Sequence, residues 1–287
     1  MADALIKLTE CPRDAMQGLH DFVPTDVKAR YINLLLQVGF DTIDFGSFVS
    51  PKAIPQMRDT AEVLGQLDLG NTKSKLLAII ANYRGAEEAA AHGAITYLGY
   101  PFSISETFQM RNTNSTVNDA FETVKRIKGL CADKNKELLV YLSMGFGNPY
   151  GDEWNTEIVQ QWTERLVNEG INIIALSDTI GIATPEQIKS IYTNLSSQFP
   201  QTEFGVHLHS TPDNWHDKVE AAYQSGCKRF DGALKGYGGC PMAKDDLTGN
   251  IATENLISYL KSQNALQELD YGKLQEALDY SAIVFNA

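Results

Sequence analysis

Long apolar runs, paired cysteines and basic clusters are all missing from this chain, and each absence removes a class of function. No apolar run is long enough to span a bilayer, and the N-terminal MADALIKLTECPRD has neither the apolar core of a signal peptide nor the arginine-rich character of a transit peptide. The expectation is a cytoplasmic protein with no membrane partner. Four cysteines, Cys11, Cys131, Cys227 and Cys240, lie far apart with no CxxC pair, which fits neither a disulfide framework nor a structural zinc site and leaves them as thiols. With a formal charge of -12 and no cluster of lysine or arginine, the chain suits neither nucleic acid nor an anionic membrane surface. An anionic small substrate would need basic residues placed locally. Linkers and low-complexity tracts are missing too, so the 287 residues are expected as one catalytic domain, 1–287.

What is present is a repeat of strand then helix. Apolar runs recur as LIKLTEC, TIDFGSF, KLLAIIAN, AITYLGYPFS, ELLVYLSMGF, IIALSDT, EFGVHLHS and RFDGALKG. Between them lie amphipathic stretches such as PTDVKARYINLLLQVG and TPEQIKSIYTNLSSQF, several opening with Thr or Pro and closing on Gly, as helix ends favour. Eight such units predict an α/β fold of the (β/α)8 TIM-barrel type, with a long glycine-rich loop after the eighth strand and helices at the C-terminus. Such a barrel gathers its chemistry at the C-terminal ends of its strands. The alternative, a doubly wound open sheet, carries a GxGxxG turn after its first strand, where this chain reads ECPRDAMQG.

The strand ends carry Arg13 and Asp14 after the first strand, Asp44 in the second, Asn82 after the third, Asp178 in the sixth and His207 and His209 in the seventh. Alternation along a strand points both imidazoles the same way. They are either metal ligands or two core histidines bonded to backbone. One polar residue at a strand end is usually a helix cap, but seven on one rim argue for a site. The glycine-rich GYGGCPMAKDDLTGN, from Gly236 to Asn250, adds Cys240 and Asn250 ahead of a helix beginning near Thr253. If Asp14, His207, His209 and Asn250 converge, two oxygen and two nitrogen ligands leave room for water or substrate. That set suits octahedral Mg²⁺ or Mn²⁺, with zinc as the other candidate.

The segments ECPRDAMQG, IDFGSFVSPKAIPQM, LSDTIGIATP, VHLH, GYGGCP and TGNIATENL, in this order from Glu10 to Leu256, together resemble the 3-hydroxy-3-methylglutaryl-CoA lyase family. The resemblance implies a divalent-cation-dependent retro-Claisen cleavage of that acyl-CoA to acetyl-CoA and acetoacetate, as in leucine degradation and ketone-body formation. It also implies a homodimer, and no redox or nucleotide cofactor. On the same resemblance Asp14, His207, His209 and Asn250 are metal ligands, and Arg13 meets the charge of the departing enolate. His207 doubles in proton transfer. Cys240 helps protonate the enolate once the loop closes over bound acyl-CoA. Gln17, Asp44, Tyr150 and Asp178 match other polar positions of the family site, and Asn82 joins them as a substrate-binding candidate from its place at a strand end.

Several residues depart from the family pattern. Asp44 stands where Glu is common, Asn148 replaces a residue that is cysteine in some members, and HLHST lacks the aspartate that often follows the second histidine. The segment between Cys240 and Asn250 is one residue longer than usual, and Lys235 occupies a position where a small residue is more common. Two other readings stay open: a metal-dependent condensing enzyme or aldolase acting on another acyl substrate, and a catalytically silent barrel that binds an acyl-CoA.

Overall fold

The computed structural model describes residues 6–239, 248–266 and 268–285. Its centre is a closed barrel of eight parallel strands: β1 (Lys7–Glu10), β2 (Thr42–Ser47), β3 (Lys75–Ile79), β4 (Ile95–Ser103), β5 (Glu137–Ser143), β6 (Ile173–Asp178), β7 (Glu203–Ser210) and β8 (Arg229–Gly232). Each strand pairs with the next, and β8 closes the ring on β1 in a register that sets Lys7 beside Arg229 and Glu10 beside Gly232. All eight apolar runs are strands, as their composition predicts.

The helices are α1 (Pro12–Gln17), α2 (Thr25–Leu36), α3 (Thr60–Leu64), α4 (Tyr83–Ala90), α5 (Glu106–Thr113), α6 (Val117–Lys134), α7 (Thr156–Asn168), α8 (Pro185–Gln198), α9 (Trp215–Gln224), α10 (Thr253–Ser262) and α11 (Tyr271–Phe285). Helix α8 shows the local logic. Thr184 caps it by accepting from Gln187 N, the Gln187 side chain accepts in return from Thr184 N, and Pro185 fills the first helical position, where its missing N–H costs nothing. Among the described residues no helix is long and apolar enough to cross a membrane.

Strand alternation separates two apolar regions. Leu77, Ile79, Tyr97, Leu139, Tyr141, Ile173 and Ala175 fill the inside of the barrel, while their neighbours Leu76, Ala78, Leu98, Leu138, Val140, Ile174 and Leu176 pack outward under the helices. The same phase carried round the ring turns Asp44, His207, His209 and Asp231 inward, because Ile43, Phe45, Val206, Leu208 and Phe230 belong to the outer region. It turns Asp178 outward, in step with Ile174 and Leu176. At the opposite, N-terminal end, Glu203 takes ion pairs from Lys7 at 2.5 Å and Arg229 at 3.0 Å and ties three strand starts together.

A short ninth strand, β9 (Gly249–Asn250), is not visible as an apolar run. It pairs antiparallel with the end of β7 and sets Asn250 directly against His209. Helix α11 lies against α2, and its Phe285 ring stacks on Tyr237 with centroids 4.2 Å apart. Cys11, Cys131 and Cys227 are buried free thiols, while Cys240 lies outside the described residues.

Candidate active site

Helix α1 begins as β1 leaves the barrel, with Pro12 starting it, and its single turn delivers Arg13, Asp14 and Gln17 to the rim. Arg13 is held on two sides. Its Nε lies 3.1 and 3.2 Å from the Asp44 oxygens and its Nη2 donates to Asp44 Oδ2 at 2.6 Å, while Nη1 donates to Asp14 Oδ1 at 2.8 Å. Burial works against its charge, but Asp44 and Asp14 outweigh it, so the guanidinium stays protonated. Burial in turn pushes the Asp44 carboxyl up to about 6, against the pull of Arg13.

Asp14 accepts from Gln17 Nε2 and from Asn250 Nδ2, both at 2.8 Å. Burial would raise its carboxyl, yet Arg13 and then His207 hold it below the ordinary carboxylate range. The Asn250 amide nitrogen also donates to Tyr237 O at 2.9 Å, so both its hydrogens are committed and its carbonyl oxygen is the atom left for a cation. Gly238 makes this approach feasible: it sits at φ +96°, and a Cβ there would lie 2.7 Å from Asn250 Nδ2 and 2.9 Å from Asp14 O.

The histidines are oriented from behind. His207 Nδ1 lies 3.2 Å from Asp231 Oδ2, and His209 Nδ1 lies 3.1 Å from Thr179 O. A carbonyl only accepts, so His209 Nδ1 carries the hydrogen and Nε2 keeps its lone pair. That Nε2 is buried and has no partner among the described residues. Burial, then the neighbouring His207, pushes the His209 imidazole down to about 4, so it is neutral as a ligand must be. For His207 burial opposes protonation, but Asp231 and Asp14 prevail and raise it.

Ligand atoms of Asp14, His207 and His209 all lie within 4.8 Å of one another. An orphaned, neutral imidazole nitrogen beside an ionised carboxylate and an amide oxygen fits a divalent cation with oxygen and nitrogen preference. Cys11, His207 and Asp231 form a second close triplet. There the Cys11 thiol is pushed well above its ordinary range by burial and then by Asp231, which favours the protonated thiol over the thiolate a metal needs.

The remaining candidates from the sequence divide. Gln17 and Asp44 join the cluster, holding Asp14 and Arg13 respectively. Tyr150 stacks against Phe108 at 6.3 Å with the Arg111 guanidinium over its ring, and its buried hydroxyl has no partner among the described residues. Asn82 caps α4, its Oδ1 accepting from Gly85 N at 2.9 Å, the ordinary role of a polar residue at a strand end. Asp178 does not join the inner cluster, because its outward phase takes it to the Lys218 ammonium at 2.7 Å.

Three residues were not singled out from the sequence. Asp231 was detectable, since it follows Phe230 in the alternation of the eighth strand. Glu10 ends β1 and accepts from Leu234 N at 2.9 Å and Thr253 Oγ1 at 2.5 Å, anchoring both flanks of the glycine-rich segment. Lys218 gives no signal of its own, being one more lysine on an amphipathic helix.

The family model described as HMGL-like matches residues 6–280. The chain is 32% identical to the cytoplasmic 3-hydroxy-3-methylglutaryl-CoA lyase of Rattus norvegicus over 96% of its own length and 80% of the relative's. It is 32% identical to the hydroxymethylglutaryl-CoA lyase YngG of Bacillus subtilis, covering 93% and 88% of the two chains. Among solved structures, an HMG-CoA lyase from Acinetobacter baumannii in complex with coenzyme A and 3-methylmalate superposes with a TM-score of 0.91 at 32% identity, over 100% of this chain and 93% of the other. On sequence and structure alike, this chain belongs to the HMGL-like family.

Proposed function

We propose that this protein is a carbon–carbon lyase that cleaves 3-hydroxy-3-methylglutaryl-CoA to acetyl-CoA and acetoacetate on one catalytic domain, 1–287. The observation that carries the reading is the fixed Arg13 guanidinium beside the converging Asp14, His207 and His209, with His209 Nε2 buried and without a partner among the described residues. Asp14, His207, His209 and Asn250 would hold a divalent cation, Mg²⁺ or Mn²⁺. When bound, such a cation acidifies the tertiary hydroxyl of the substrate and orients the carboxylate beside it.

The chain's own residues supply the rest. His207, anchored through Nδ1 on Asp231, has Nε2 alone for either role, so it takes the hydroxyl proton when that nitrogen is not on the cation, and the electron pair of that O–H bond becomes the new carbonyl of acetoacetate as the carbon–carbon bond breaks. The pair from the broken bond leaves on the acetyl thioester as an enolate. Arg13, kept from turning by Asp44 and Asp14, stabilises that charge where it forms. Cys240 is proposed to give its thiol proton to the enolate carbon, the proton taken from the hydroxyl being the one that restores the thiol. Gln17, Asp44 and Tyr150 are the substrate-side polar residues of this reading; Asn82 and Asp178 are spent on a cap and an ion pair.

An acyl-CoA occupant is supported by the Acinetobacter baumannii relative, whose complex holds coenzyme A. A cytoplasmic, homodimeric enzyme serving leucine degradation and ketone-body formation completes the proposal, the dimer and the pathway resting on family resemblance alone. The test is acetoacetate release from purified protein supplied with a panel of 3-hydroxyacyl-CoA thioesters, with Mg²⁺ or Mn²⁺ and with chelator. Turnover of the hydroxymethylglutaryl thioester that chelator abolishes is expected. Condensation in place of cleavage, or turnover of a different thioester only, would move the protein to the reading of a condensing enzyme or aldolase on another acyl substrate.

A further inference from the structure

Lys218 lies on α9, 2% exposed, and its ammonium meets three acceptors: Asp178 Oδ2 at 2.7 Å, His209 O at 2.8 Å and Gly181 O at 2.9 Å. Three donors and three acceptors satisfy a buried ammonium completely. The acceptors come from two chain segments, the end of β7 and the turn that follows β6. That turn is closed on itself as well, for Asp178 Oδ1 accepts from Ala183 N and Asp178 O from Gly181 N, both at 3.1 Å. Inside the turn sits Thr179. Its hydroxyl accepts from Met144 N at 2.8 Å, and its carbonyl is the partner of His209 Nδ1.

We infer that Lys218 is a positioning residue for the metal centre: it locks the 178–183 turn against β7 so that Thr179 O selects the His209 tautomer whose Nε2 is free to ligate. The inference rests on His209 being a metal ligand, as proposed above. A plain structural ion pair needs only Asp178, and a buried pair of that kind is replaceable by apolar groups of similar volume. Here two of the three ammonium hydrogens go to backbone carbonyls, one of them belonging to His209 itself. The ammonium therefore fixes the main chain of the ligand and, through the turn, the acceptor behind its ring. Neighbours of this kind that orient a ligating histidine typically change metal affinity about 10- to 100-fold when removed.

Two variants test this, Lys218→Met and the doubly neutral Lys218→Met/Asp178→Asn. Three quantities are read on each: the His209 tautomer of the metal-free protein by ¹⁵N-detected histidine spectra, Mn²⁺ affinity by calorimetry, and thermal stability. The wild type should show hydrogen on Nδ1 alone. In Lys218→Met a mixture of tautomers should appear, and Mn²⁺ affinity should fall at least about tenfold. The double variant should regain thermal stability, because no charge is left buried alone, but not the affinity or the single tautomer. A double variant that binds Mn²⁺ within twofold of wild type with the wild-type tautomer overturns the inference and leaves Lys218 as a counter-charge only. Should Lys218→Met fail to fold, the double variant decides alone. His209→Ala with undiminished Mn²⁺ affinity would defeat the ligand reading instead, while the tautomer measurement still reports on Lys218.

Discussion

Asn250 donates an amide hydrogen to Asp14 at 2.8 Å across 236 residues of sequence, joining the first turn of the barrel to the last. Through β9 the same asparagine lies opposite His209, so one residue touches both ends of the ligand set. His209→Ala and Asn250→Ala should each lower divalent-metal affinity and turnover together, since each removes one of the four proposed protein ligands, and Asn250→Ala also takes one hydrogen bond from Asp14. Calorimetric titration with Mn²⁺ and Mg²⁺ reads the effect. Unchanged affinity in His209→Ala would return that imidazole to the role of a core histidine.

Arg13 is proposed to meet charge that exists mainly in the transition state. Arg13→Gln should therefore cut kcat by about a hundredfold or more and leave KM within a few-fold of wild type. Steady-state kinetics with thermal melts alongside separate this from unfolding, because the variant leaves Asp44 and Asp14 without their shared cation. A rise in KM with kcat preserved would make Arg13 a substrate-binding residue.

Glu10 carries a pH dependence of stability. Burial pushes its carboxyl from an ordinary 4.5 up to about 8, so the folded protein keeps that proton while the unfolded chain gives it up. The contribution is fully present below pH 4.5 and is lost as pH rises toward 8, with a slope of at most about 1.4 kcal/mol per pH unit from one group. Glu10→Gln preserves an acceptor for Leu234 N and a partner for Thr253 Oγ1 but cannot ionise. Its stability relative to wild type should climb between pH 5 and 8 in urea titrations, and a difference that stays flat across that window would refute the assignment.

Lys235, one of the departures from the family pattern, sits at φ +58°, and its N–H is received by the Glu254 carboxylate at 2.9 and 3.1 Å. A side chain in this left-handed region costs roughly 1–2 kcal/mol, partly offset by glycine's extra freedom when unfolded. Lys235→Gly should therefore raise unfolding free energy by about 0.5–1 kcal/mol, and a loss of stability would show that the lysine side chain contributes more than its backbone strain costs.

The barrel was legible because β-strands buried on both faces must be apolar throughout, and eight such runs stood out. The histidine pair was legible through the two-residue period of β7. Asp178 shows what alternation adds when it is tracked across a whole strand: Ile173, Ala175 and Ser177 share one phase, and Asp178 stands in the other with Leu176. A census of strand ends that ignores phase cannot separate it from Asp44. Asn82 was ambiguous for a different reason, as caps and ligands favour the same polar residues at the same place. Lys218 and β9 were not legible, since a buried lysine is recognised only by the acceptors that surround it, and two residues are too few to display a period.

The closure of β8 on β1 has a consequence for how the protein comes into being. Asp14 is made early, whereas Asn250 follows 236 residues later, which at about 5–20 residues per second is a delay on the order of ten to fifty seconds. Throughout that interval a growing chain holds Asp14 without its Asn250 partner. The rim is thus complete only once Asn250 has been made, and a chain ended before it lacks one of the four residues proposed to hold the cation.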